Sequence, residues 1–195
     1  MFAFFAGLAA GLLHVFSGPD HLAAVAPLAA DGRRSQWRTG LQWGMGHTTG
    51  VVLIALLLLL IRQRLPLDAI SGYSERIVGL MLILVGGWGL WRARYSRVTS
   101  HAHTGASFAM GTFHGLAGSS HLFGVLPSLA FAARIDSILY LAGFGVGAMA
   151  GMTAFAAGVG LIAIRFGTDH RRYRGLLYAS SAAALVIGGF WLVGR

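Results

Sequence analysis

Long uncharged runs, not alternation, organise this chain. VVLIALLLLLI (51–61) and IVGLMLILVGGWGLW (77–91) lie inside apolar segments of about twenty residues, the length that crosses a bilayer's hydrocarbon core. Short polar turns stand between them and hold most of the charge. The pattern predicts an all-α polytopic membrane protein with spans near residues 2–30, 40–61, 73–91, 106–133, 137–164 and 175–193. It predicts no separate soluble domain, because no polar stretch is long enough to build a core. The first segment is too long for one straight span, running about 43 Å against a core of about 30 Å. Gly18 and Pro19 in its middle predict a break.

A repeat lies over this pattern. The spacing His-x6-His-x5-Pro occurs at His14, His21 and Pro27, and again at His114, His121 and Pro127. Gly18, Leu22 and Val25 match Gly118, Leu122 and Val125. In the second span, with a one-residue slip, Gly44-Met45-Gly46 and Gly50 answer Gly145-Val146-Gly147 and Gly151; in the third, VGGWGLW (85–91) answers IGGFWLV (187–193). These matches, in order, imply one transmembrane domain (1–195) made of two repeats, 1–95 and 106–195, joined by a linker at 96–105. Each repeat has three spans, and an odd number reverses direction, so the second is expected upside down relative to the first. Inverted repeats with broken first helices suit a transporter whose substrate sits between them, with the two halves rocking about it. Duplication that merely builds a stable scaffold is the alternative.

Charge gives the expected orientation. Charged residues are 11% of the chain, about half the fraction usual in soluble domains. The net charge of +9 comes from arginine alone, since there is no lysine. Alternate turns divide the arginines unequally. Arg33, Arg34, Arg38, Arg92, Arg94, Arg97, Arg165, Arg171, Arg172 and Arg174 fall on one side, and Arg62, Arg64, Arg76, Arg134 and Arg195 on the other. The positive-inside rule puts the first set in the cytoplasm of a bacterial inner membrane, with the linker there and both termini outside. Arginines in turns between apolar spans read as topology and lipid attraction, not as a nucleic-acid surface. The N-terminus lacks a basic n-region and reads as the start of the first span. The absence of cysteine excludes disulfides, thiolate metal sites and thiol redox chemistry.

The polar residues inside the spans carry the chemistry. Asp20 is the one carboxylate of six that lies well within an apolar segment, where an ionisable group marks function by default. His14, His21, His47, His114 and His121 also lie in spans. Imidazole with carboxylate suits a borderline divalent transition ion; magnesium or calcium would want more oxygen and copper(I) more sulfur. On a straight helix His14 and His21 stand about 10 Å apart along the axis, too far to share an ion. A break at Gly18-Pro19, with glycine supplying unusual torsions and proline opening a new half-helix, would fold His14 back toward Asp20 and His21 and free backbone carbonyls as further ligands. In the second span, Gly46, His47, Thr48 and Thr49 offer an imidazole and hydroxyls, although an interhelical hydrogen bond explains His47 equally well. The glycines at 40, 44, 143, 147 and 151 fit small-residue packing within one chain or in a homo-oligomer. Ser120 replaces Asp20 and Ala148 replaces His47, so the first repeat is expected to hold the main site, with His114 and His121 assisting or forming a second stop. Met45, Met110, Met149 and Met152 read as packing, and His101 and His103 as solvated loop residues.

HVFSGPDHLAAVAPLA followed by GMGHTTGVV resembles the nickel/cobalt transporter family (NicO/NiCoT), in particular its short UreH-like, urease-accessory branch. The resemblance covers both halves. It implies an inner-membrane permease for Ni²⁺ or Co²⁺, carried as substrate without a prosthetic group. It also carries the family's His and Asp-His signature onto His14, Asp20 and His21, and its Gly-His signature onto Gly46, His47, Thr48, Thr49, Val51 and Val52. Two other functions stay open: a proton-coupled exporter of a small organic or anionic solute, and a non-transporting membrane accessory for metal handling. An enzyme is not expected, since neither an H-E-x-x-H nor a nucleophile motif is present.

Overall fold

The computed structural model describes residues 1–31, 36–61, 67–95, 104–117, 124–166 and 170–193. Among them the chain is entirely helical: α1 (Phe2–Ser17), α2 (Pro19–Asp31), α3 (Gln36–Ile61), α4 (Leu67–Tyr95), α5 (Thr104–Ala117), a 3-10 turn (Leu126–Ala130), α6 (Arg134–Phe166) and α7 (His170–Val193). By length and composition, Arg134–Arg165 and Arg171–Val193 can each cross a membrane, with mean hydropathies of 1.8 and 1.9. The pair α1 and α2, bent by 73°, qualifies together as a third. The predicted first span is therefore two helices. The predicted fourth is described as α5 as far as Ala117 and, from Leu126, as a 3-10 turn that holds Pro127; residues 118–123 lie outside the described residues. Elsewhere the helices overrun their predicted ends, because hydropathy marks the apolar middle while arginine, a good helix former, extends the coil into the turns. Most of the linker, residues 96–103, lies outside the described residues.

Glycines set the packing. A Cβ on Gly7 or Gly11 of α1 would fall on the carbonyls of Tyr140 and Phe144, and one on Gly143 or Gly147 of α6 on those of Phe4 and Leu8. α3 and α5 meet in the same way, Gly46 and Gly50 on Phe108 and Thr112, Gly111 and Gly115 on Trp43 and His47. In both pairs the numbers rise together, so the helices run parallel. The repeat maps one pair onto the other: Gly11 on Phe144 becomes Gly111 on Trp43, and Gly147 on Leu8 becomes Gly46 on Phe108. Equivalent helices of the two halves instead meet antiparallel. α3 crosses α6 through Gly44 on Met149 and Gly145 on Thr48, and α4 crosses α7 through Gly86 on Ser181 and Gly188 on Gly79. Each half's first helix is thus seated on the other half's second helix. The two halves therefore interleave.

The distribution of polarity is inside out relative to a soluble bundle. Asp20, His21, His47, His114, Gln36, Ser107, Ser128 and Ser181 are buried. Leu84, Phe190 and Val186 are 64%, 71% and 72% exposed. At one end Ala30, Ala93, Ala163, Tyr173 and Leu177 form a cluster that gathers the last turns of α2, α4 and α6 around the first of α7. There Arg174 donates from Nε to the Ala93 carbonyl (2.7 Å) and from Nη2 to that of Arg94 (3.2 Å), capping α4. Arg92, Arg94, Arg165, Arg171 and Arg172 share this end.

Replacing Gly111 by leucine drives a branched side chain into the Trp43 carbonyl and is expected to destabilise the fold by roughly 3 kcal/mol or more. Gly87→Ala, at a position with nothing within 4 Å, is expected to change stability by no more than about 1 kcal/mol. Thermal unfolding of the two purified variants in detergent checks the contrast.

Candidate metal centre

The site is built where α1 ends and α2 begins. Gly18 has φ −91° and ψ 98°, an extended conformation open to any residue, so unusual torsions are not the reason for glycine. Its role is to make room. A Cβ there would land on Nδ1 of His21 and 2.9 Å from Oδ1 of Asp20. Pro19 then opens α2 with its φ already fixed for a helix. The Gly18 N–H donates to the His14 carbonyl (3.1 Å), and the His21 N–H to the Gly18 carbonyl (3.1 Å). The His14 and Gly18 carbonyls accept hydrogen bonds within the turn. The bend brings the His14 and His21 rings to 4.5 Å between centroids, across a separation of seven residues.

Asp20, 2% exposed, sits between two imidazoles. Its Oδ1 is 3.1 Å from Nδ1 of His21, and its Oδ2 is 3.2 Å from Nε2 of His114 on α5. Its place in the first turn of α2 sets the carboxylate at the positive end of that helix dipole, while His14 lies in the last turn of α1, where the dipole favours a cation. His47, fully buried on α3, completes the group, with ring centroids 5.0 Å from His21, 5.7 Å from His14 and 5.8 Å from His114. Two sets of three have ligand atoms all within 4.8 Å of one another: His14, His21 and His47, and Asp20, His21 and His114. This donor set, nitrogen-rich with one carboxylate and no thiolate, fits a borderline divalent transition ion.

Two aromatic walls were not legible as site residues. The Trp43 ring stacks on His47 (5.2 Å, 13°) and lies 5.1 Å from His114 and 5.8 Å from His21. Phe144 lies 5.3 Å from His14. The signal was their position: Trp43 stands four residues before His47, and Phe144 four before Ala148, its counterpart. Other predicted residues stand apart. Thr48 donates to the Gly145 carbonyl (3.4 Å) and Thr49 to that of Met45 (2.9 Å), so these hydroxyls bond backbone rather than imidazole. Met45 is exposed and Met152 lies in the core, as packing residues do. Ser120, His121, His101 and His103 lie outside the described residues.

Comparison with known proteins gives three relatives. The chain is 34% identical over 177 residues to chloroplast protein FOR GROWTH AND FERTILITY 1 of Arabidopsis thaliana, covering 79% of this chain and 48% of that protein. It is 33% identical over 171 residues to FOR GROWTH AND FERTILITY 2 of the same plant, covering 79% and 46%. The chain thus spans about half the length of these two relatives. It is also 27% identical over 187 residues to urease accessory protein UreH of Bacillus sp. (strain TB-90), a distant likeness covering 86% of this chain and 79% of that one. No family model matches, and neither does any solved structure.

Gly18→Ala leaves the backbone torsions allowed but removes the space for His21. The variant is expected to keep its helix content and to lose at least tenfold in Co²⁺ affinity, whereas Gly87→Ala keeps both. Circular dichroism and Co²⁺ titration of the purified proteins measure the two effects.

Proposed function

We propose that the protein is a six-span inner-membrane permease that carries a divalent transition-metal ion, Ni²⁺ or Co²⁺, through the site between its two repeats. One observation carries the reading: Asp20 and four imidazoles converge inside a bundle whose outer surface is apolar. A charge placed at mid-membrane costs about 2.5–3.5 kcal/mol on insertion scales, and a dication passing that point would recover it by pairing with the carboxylate. The arginine-rich end faces the cytoplasm and both termini face outward in this reading, following the arginine asymmetry. The likeness to a urease accessory protein supports a metal-related role and agrees with the resemblance read from the signatures around His14 and His47. The names of the plant relatives specify a chloroplast setting and no substrate.

The solute-exporter reading is less well served. A cavity lined by Ala24, Trp43, Met81, Leu82, Val85, Met110 and His114 adjoins the site, and its volume of about 10 Å³ suits one water or one ion rather than an organic molecule.

Liposomes holding only this protein are expected to take up Ni²⁺ and Co²⁺ saturably, and not Mg²⁺. Asp20→Asn is expected to cut that flux at least a hundredfold while the protein still elutes as a folded species. Normal flux through the Asn variant would remove Asp20 from the mechanism, and no flux through the wild type would favour the accessory role.

A further inference from the structure

The cluster is not one round cage. His21 belongs to both three-residue groups, with His14 and His47 on one side and Asp20 and His114 on the other. The two groups differ in kind. The first is three imidazoles; the second replaces one imidazole with a carboxylate.

Their spacings also differ. An ion about 2.1 Å from each ligand sets neighbouring donors about 3.0 Å apart in an octahedron and about 3.4 Å apart in a tetrahedron. The Asp20–His21 and Asp20–His114 contacts, 3.1 and 3.2 Å, already lie in that interval. These contacts therefore have the bite of a chelate. Nδ1 of His21 faces Asp20.

The surroundings give the two groups different outlets. His14, at the outer edge of the imidazole group, is only partly buried. His114, at the outer edge of the carboxylate group, lines the small cavity beside Met81 and Met110.

Building on the metal-carrier reading, we infer that the cluster is two metal stations in series, His14/His21/His47 and Asp20/His21/His114, which share His21 and are occupied one at a time. Two dications separated by a single imidazole would repel strongly in a buried site, so an ion moves between the stations rather than filling both. His21 is a ligand of both stations, so the ion passes from one to the other across a single imidazole ring. Asp20 makes the second station the deeper one for a cation. His47 and His114 thus differ from His21: each serves one station, and His21 serves both.

Equilibrium dialysis and the visible absorption of bound Co²⁺ test this on full-length protein, alongside Co²⁺ flux in liposomes. Wild type is expected to bind one Co²⁺ per chain. His47→Ala, which copies the second half of the chain, and His114→Gln are each expected to bind one Co²⁺ still, with different visible spectra and at least tenfold lower flux. His21→Gln is expected to bind none. His114→Asn replaces His114→Gln if the latter does not elute as a folded species. Loss of all binding in both single-station variants would establish one undivided site and overturn the proposal. So would two Co²⁺ per wild-type chain, or full flux in either variant. Wild type that binds no Co²⁺ would instead overturn the metal reading, and the stations with it.

Discussion

Glycine seated on a neighbouring carbonyl is the contact on which the site depends. Helices separated by ordinary side chains lie 8–10 Å apart, whereas small residues let backbones touch. Gly46 and Gly50 bracket His47 on α3, and Gly111 and Gly115 bracket His114 on α5. The same residues that close the two helices therefore bring the two imidazoles to 5.8 Å. On the other flank, Gly11 and Gly147 close α1 against α6 and bring Phe144 against His14. Packing and chemistry share one set of positions, so the site's dimensions follow from backbone contact and not from flexible side chains.

The break at Gly18 adds what straight helices cannot supply. A helix end and a helix start meet there, with partial charges of opposite sign, and the titratable groups are distributed to suit: His14 at the negative end, Asp20 at the positive end. The carboxylate then uses its two oxygens on two elements, His21 of its own half-helix and His114 of the opposite repeat. One buried anion thus ties the broken helix to its partner half. In a low-dielectric interior such an anion persists only with partners of this kind.

Much of this was legible in the sequence, because duplication writes each feature twice. The repeat, the break and the five residues His14, Asp20, His21, His47 and His114 could be read from spacing and from polar residues in apolar runs. The reason for Gly18 could not. Torsional freedom and space for a neighbouring ring leave the same letter in a sequence, and only the placement of His21 separates them. Trp43 and Phe144 were hidden because aromatics in apolar helices are ordinary. The interleaving was hidden for a deeper reason: the order of spans implies which way each helix runs, and says nothing of which helix it lies against.

The mapping of Gly11 on Phe144 to Gly111 on Trp43 has an implication for how such a site comes to be lopsided. Two identical three-helix chains, packed head to tail through these glycines, would have to keep an aspartate and a histidine in both copies or in neither. A symmetric pair would hold two carboxylates and six imidazoles around one axis, more donors than a single ion takes. Joining the copies into one chain lifts that constraint. One half retains Asp20, Trp43 and His47, while the other holds serine, phenylalanine and alanine at 120, 144 and 148. Covalent linkage, seen this way, is what lets a symmetric frame carry an asymmetric passage.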